Sequence, residues 1–198
     1  MDIALFDFDG TITHQDTFTQ FVKTAIPKRR QKWGRIILAP SILGYRLGLV
    51  SPSNMRQKII KVGFRGVPTR LIEAQGRTHA EKYLPTVLRP EALECIQWHK
   101  ARGDRIVVVS ASLAVYLQPW CELMDIELIA PELEDNAGRL TGRYLRGDCS
   151  GPMKAERVKA HVNISDYDTV YAYGDTAEDN ELLALAHRQF YRWREITN

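Results

Sequence analysis

The sequence predicts an α/β protein, a doubly wound parallel sheet with an inserted α-helical cap, and three observations carry the prediction. Short apolar or β-branched runs recur along the chain as Ile3-Ala4-Leu5-Phe6, Ile106-Val107-Val108-Val109 and Val170-Tyr171-Ala172-Tyr173, with helical patterning between them. Each run ends in a polar turn: Asp7-Phe8-Asp9-Gly10-Thr11, Ser110-Ala111-Ser112 or Gly174-Asp175-Thr176. The stretch from 16 to 84 has helical character throughout, which makes it an insert rather than part of the alternation.

In order, the first strand spans 3 to 7, where an unbroken apolar run meets two aspartates. The insert follows, then a helix over 90 to 102, a central strand over 106 to 110, a helix over 113 to 123 and a strand over 126 to 130. Asn136-Ala137-Gly138-Arg139 marks a hairpin. Gly151-Pro152 breaks the chain before a helix over 153 to 162, and a strand over 169 to 173 runs into a Gly-Asp turn. A helix over 179 to 186 and a last short strand near Phe190-Tyr191 complete the series. The catalytic core is thus 1–15 with 85–198, and the cap is 16–84.

Alternation along a strand points Asp7 and Asp9 to the same side, and Gly10 lets the chain turn so that backbone N–H groups face an anion. Such a pair suits a divalent metal. It also allows one carboxylate to attack phosphorus while the other shuttles a proton. A calcium loop is excluded, because Thr11-Ile12-Thr13 supplies no third carboxylate and no closing glutamate. Ser110, Lys154 and the Asp175/Asp179 turn lie where an open α/β sheet places its ligands, at the carboxyl ends of the strands.

These four segments, in this order, resemble the motifs of the haloacid dehalogenase-like phosphatase superfamily: DxDGT, a hydrophobic strand ending in Ser or Thr, a Lys, and GDxxxD. The early insert and Ser110-Ala111-Ser112 are similar to the branch that includes phosphoserine phosphatases. The resemblance implies a Rossmann-like core in which Asp7 forms an aspartyl-phosphate and Asp9 is acid and then base. It implies Mg2+ held by the Asp7 carboxylate, the Asp9 backbone carbonyl and Asp175. Gly10, Thr11, Ser110, Ala111 and Lys154 would surround the phosphoryl group, and Asp179 would orient Lys154 or support the metal's ligands. Phosphoserine phosphatases carry a substrate-reading glutamate where Asp16 stands, and Arg56 or Arg65 would be their carboxylate-binding arginine. Two departures oppose a phosphoserine substrate: Gly10 replaces their usual Ser, and Glu178 their usual Asn.

Charge divides the chain. Residues 16 to 84 hold fourteen Lys or Arg against three acids, about +11, so the overall +3 leaves about −8 for the remainder. Beside Lys28-Arg29-Arg30-Gln31-Lys32-Trp33 lies the most apolar stretch, 36 to 50, too short and interrupted to span a membrane. It is either a buried helix pair or a face for an anionic, partly apolar partner such as a lipid phosphate at a membrane surface. The cap composition also resembles bacterial phosphatidylglycerophosphate phosphatases, which share the Gln15-Asp16 pair after the first motif. Nucleic acid is not expected, because aromatics do not interleave with the basic run.

At 198 residues the chain fits one core plus an insert. Cys95, Cys121 and Cys149 form no CxxC pair, so neither a disulfide framework nor a zinc site is expected. A strand beginning at residue 3 leaves no room for a signal peptide. These point to the cytoplasm, with a peripheral contact at the inner face of a membrane as the extension the basic cap invites. The expected activity is a magnesium-dependent phosphomonoesterase acting on a small phosphorylated molecule or a lipid phosphate. The competing class is an inactive membrane- or nucleic-acid-binding module.

Overall fold

Residues 1–196 are described by a computed structural model of the chain. Six strands form one sheet, and its centre is the first apolar run, β1 (Ile3–Phe6). β2 (Arg105–Val109) and β6 (Val170–Gly174) flank it, both parallel, with β3 (Glu127–Ile129) beyond β2 and β7 (Arg188–Tyr191) beyond β6. Phe6 pairs with Val108 on one side and Tyr173 on the other, so Asp7, Ser110 and Asp175 leave the sheet at nearly one level. This register assembles the site.

Period-two alternation divides the core. Ala4, Phe6, Val108 and Tyr173 face helices α5 (Pro90–Ala101) and α6 (Ala114–Leu123), while Ile3, Leu5, Val107 and Ala172 face α7 (Pro152–His161) and α8 (Asn180–Leu183). Helices on both faces of a mostly parallel sheet are the predicted doubly wound architecture.

The insert resolves into α1 (Thr17–Ala25), α2 (Lys28–Arg46), α3 (Pro52–Phe64) and α4 (Thr69–Lys82). Its starts are chemical: Asp16 accepts from the Thr19 N–H, and Ser51 caps α3 ahead of Pro52 at the first helical position. The segments entering and leaving the insert lie side by side, with His14 N–H bonded to Val87 O at 3.0 Å and Arg89 N–H to Ile12 O at 2.9 Å. Among the described residues no helix is long and apolar enough to cross a membrane.

The expected hairpin at 136–139 forms, as β4 (Leu133–Asn136) and β5 (Arg139–Tyr144), and packs on α3, where Leu140 exchanges backbone bonds with Gly66 and Val67. Two features depart from expectation. The helix expected over 179–186 is only α8, preceded by a 3-10 turn over Ala177–Asp179, because Asp179 folds back onto the Thr176 N–H and hydroxyl. A further strand, β8 (Arg194–Ile196), pairs antiparallel with β7 through Arg192 and Trp193, both at positive φ. Hairpin turns of that kind are normally signalled by Asn or Gly, which explains why the sequence conceals this one.

Candidate active site

Asp7 continues β1, its N–H held by Tyr173 O at 2.9 Å, so the neighbouring strand fixes its direction. Lys154, in the first turn of α7, is 2 % exposed and sits between two carboxylates. Its Nζ bonds Asp7 Oδ1 and, at 2.5 Å, Asp179 Oδ1. Burial pushes Asp7 up to about 8, with the Asp179 charge adding to the rise and Lys154 opposing it. Burial alone would depress Lys154, but the two carboxylates reverse this and keep it an ammonium. Burial also works against ionised Asp179, yet Lys154 and the N–H groups of Asp175 and Thr176 hold it below the usual carboxylate range. Asp179 is therefore the fixed anion that aims the lysine.

Asp175 follows β6, and its carboxylate is raised by burial and by Asp179. Gly10 is indispensable to it. Gly10 has φ +91°, and a Cβ there would collide with the Asp175 carboxylate. The Thr11 hydroxyl donates to Asp175 Oδ1 at 3.4 Å, so Gly10 and Thr11 bracket this aspartate. Oxygen atoms of Asp7, Asp175 and Asp179 lie within 4.8 Å of one another. Both oxygens of Asp179 are already engaged, which leaves Asp7 and Asp175 as the freer donors for a hard cation.

Asp9 is bound to the start of α1. Its Oδ1 accepts from the Thr17 N–H at 2.7 Å and the Thr17 hydroxyl at 2.6 Å, and its Oδ2 accepts from the Ser112 hydroxyl. Thr17 Oγ1 continues to Tyr116 OH at 3.1 Å. Burial raises Asp9 to about 6 even though these bonds favour its ionised form. Thr17, Ser112 and Tyr116 escaped sequence reasoning, since single hydroxyl residues far apart in sequence carry no signal of their meeting.

A cavity of about 890 Å3 opens over these groups. Asp7, Asp9, Ser110, Ala111, Lys154 and Asp179 form its floor, and α1, α2 and α3 supply an apolar wall including Phe18, Leu38, Ile42, Met55 and Ile59. The buried Ser110 hydroxyl accepts from the Ser112 N–H at 3.0 Å. Asp16 borders the cavity, but its carboxylate is occupied by Thr19 as the α1 cap. Arg56 also borders it, with its guanidinium committed to Glu178 at 3.0 and 3.2 Å and to Asp148 at 3.3 Å. Arg65 does not belong to this site. It ends α3 on the side of β5, where it lines a separate concavity, and its carbonyl receives Arg30 Nη2. α3 turns Arg56 inward and Arg65, nine residues on, toward the hairpin.

Residues 4–184 match the model of haloacid dehalogenase-like hydrolases. The chain is 30% identical over 192 residues to protein CicA of Caulobacter vibrioides, covering 96% of this chain and 85% of that one. It is 27% identical over 116 residues to a histidinol-phosphatase of Neisseria meningitidis, covering 55% and 52% respectively. Its fold superposes with a TM-score of 0.66 on a phospho-aspartyl intermediate analogue of phosphoserine phosphatase, at 20% identity, over 96% of this chain and 85% of the other. With strand-end aspartates meeting a buried lysine at the carboxyl edge of the sheet, and a family match over nearly the whole chain, the protein belongs to the haloacid dehalogenase-like hydrolases.

Proposed function

We propose that the protein is a magnesium-dependent phosphomonoester hydrolase working through an aspartyl-phosphate on Asp7, with 1–15 and 85–198 as its core and 16–84 as a cap. The observation that carries this reading is the division of labour between the two first-turn aspartates. Lys154, with the cation that Asp7 would help to hold, favours ionised Asp7 against its burial and leaves Oδ2 without a protein hydrogen bond among the described residues, while Asp9, raised to about 6, exchanges protons near neutrality. The names of the histidinol-phosphatase and phosphoserine phosphatase relatives support the same chemistry.

Asp7 Oδ2 forms a bond to phosphorus as the bond to the leaving oxygen breaks, and that oxygen takes the proton of the Asp9 carboxyl. Asp9, now a carboxylate, takes a proton from water as the water oxygen attacks phosphorus, which releases phosphate and regenerates Asp7. Lys154 and Ser110 lie on the cavity floor, where they would meet the phosphoryl oxygens. Asp7 and Asp175, with the Asp9 backbone carbonyl, would hold Mg2+, which when bound supplies positive charge against the phosphoryl oxygens.

For the substrate, we favour a lipid phosphate over phosphoserine. Arg56 is neutralised by Glu178 and Asp148 rather than left for a substrate carboxylate, and much of the cavity wall is aliphatic. Three free thiols, two of them buried, support a reducing cytoplasmic compartment. The test is magnesium-dependent phosphate release from phosphoserine, histidinol phosphate, sugar phosphates, nucleotides and micellar phosphatidate or phosphatidylglycerophosphate. Asp7→Asn should abolish release while leaving folding intact; substantial remaining turnover overturns the nucleophile assignment, and preference for phosphoserine overturns the lipid reading.

A further inference from the structure

The helix α2 is amphipathic in reverse. Its inner side, Gly34, Leu38 and Ile42, lines the cavity, with Gly34 packed near Val62 of α3. Its outer side repeats large apolar residues at helical spacing: Trp33, Ile36, Ile37 and Leu43, followed by Leu47 and Leu49 in the turn beyond. These six are between 59 and 79 % exposed. The helix that should bury its apolar stripe presents it to solvent, a surface of the kind soluble proteins keep small. Lys28, Lys32, Arg35 and Arg46 flank one edge of this stripe, and Arg29 sits at its amino end.

Charge decides what covers it. From Thr17 to Ile72 the chain contains no acidic residue, so nothing in the region opposes an anionic partner. A second copy would bring two strongly basic faces together. A tryptophan, a band of aliphatic side chains and a cationic border instead match the interfacial layer of a bilayer, where the apolar side enters the acyl boundary and cations meet the headgroups. Arg35 and Arg46 lie at the edge of α2 and also line the cavity, so the same helix that faces outward borders the route to Asp7.

The geometry points to α2 and the turn after it as a docking face for an anionic lipid bilayer. This rests on the hydrolase reading only in making the bilayer the source of substrate. The protein sits on the membrane with α2 parallel to the surface, and the cavity between α2 and α3 receives the lipid phosphate.

The experiment is flotation of the full chain with vesicles of phosphatidylglycerol and phosphatidylcholine, against phosphatidylcholine alone, at low and high salt, alongside hydrolysis of the soluble ester p-nitrophenyl phosphate. Binding is expected only with phosphatidylglycerol and should weaken as salt rises. Ile36→Gln with Ile37→Gln and Leu43→Gln should lower the partition coefficient at least about tenfold. Lys28→Gln with Arg29→Gln and Lys32→Gln should lower it about a hundredfold, at roughly fivefold per cation. Both triple variants should hydrolyse the soluble ester as the parent does. Absence of binding at low salt, equal binding to neutral vesicles, unchanged partition in both variants, or self-association that shields Trp33 in light scattering and fluorescence overturns the docking face. Vesicle binding without ester hydrolysis overturns the hydrolase reading and leaves the docking face standing.

Discussion

Replacing Lys154 by Met removes one ammonium from between two buried carboxylates and keeps most of the side-chain volume. Deleting one partner of a buried ion pair costs about 3–5 kcal/mol, because the remaining charge loses its compensation. Here pH sets the size of the loss. Asp7 is raised to about 8, so in the absence of metal it is protonated in the folded protein below that pH, and the main loss there is the bond to Asp179, about 3 kcal/mol. An aspartate raised on folding stabilises the native state fully below its unfolded value near 3.8, and that stabilisation fades until pH passes the folded value. In the parent the decline therefore flattens above pH 8. In Lys154→Met the Asp7 carboxyl rises further, so the decline continues, and the deficit widens by about 1.4 kcal/mol per pH unit above 8. Urea unfolding at pH 6, 8 and 9 in EDTA, which keeps divalent cations from offsetting the carboxylates, measures it. Adding Asp7→Asn to Lys154→Met should restore the flat limb, and turnover of either variant should fall at least about a hundredfold. A variant within about 1 kcal/mol of the parent at all three pH values would refute the placement of Lys154 as the shared cation of both aspartates.

Gly10→Ala should fold at a cost of about 1–2 kcal/mol for its left-handed backbone, yet lose about a hundredfold or more in turnover because the new Cβ displaces Asp175; thermal unfolding beside magnesium-dependent kinetics checks this, and full activity would remove Asp175 from the reaction. His79, packed among Phe21, Tyr83 and Tyr116 with Nε2 unpartnered among the described residues, is lowered by burial to about 4. A histidine lowered on folding favours the unfolded state as pH falls through 6.5, so between pH 7 and 5 it should remove about 2 kcal/mol of stability. His79→Phe should flatten that acid limb in urea titrations, and an unchanged slope would show that His79 is already solvated.

The placement of the candidate residues was legible where it is local. Asp7, Asp9 and Gly10 lie within four residues, and Ser110 and Asp175 terminate apolar runs, so strand periodicity places them at one edge before any coordinates are known. What stayed hidden is pairing across distance. Arg56 reads from the sequence as a substrate-binding cation, and only the approach of Glu178 and Asp148 shows that its charge is already taken. The stretch from 36 to 50 has the same composition whether it faces a core or solvent, and helical phase against α3 turned its larger side chains outward.

Asp9 connects these two kinds of information. In the proposed reaction it carries the proton, and its carboxylate also accepts both the N–H and the hydroxyl of Thr17, the first residue of α1. α1 is thus tied to the sheet edge through the group that, in the proposed reaction, changes protonation state in each half. Protonated Asp9 has one fewer acceptor site for Thr17 and Ser112, so ionised Asp9 binds the cap more tightly than the acid form. The acid form is the one needed to expel the leaving group. In the proposed reaction, transfer of that proton would tighten the hold on α1 while the aspartyl-phosphate stands, and return of a proton from water would loosen it as phosphate is released. A carboxylate without the Thr17 bonds would perform the same proton transfers without coupling them to α1.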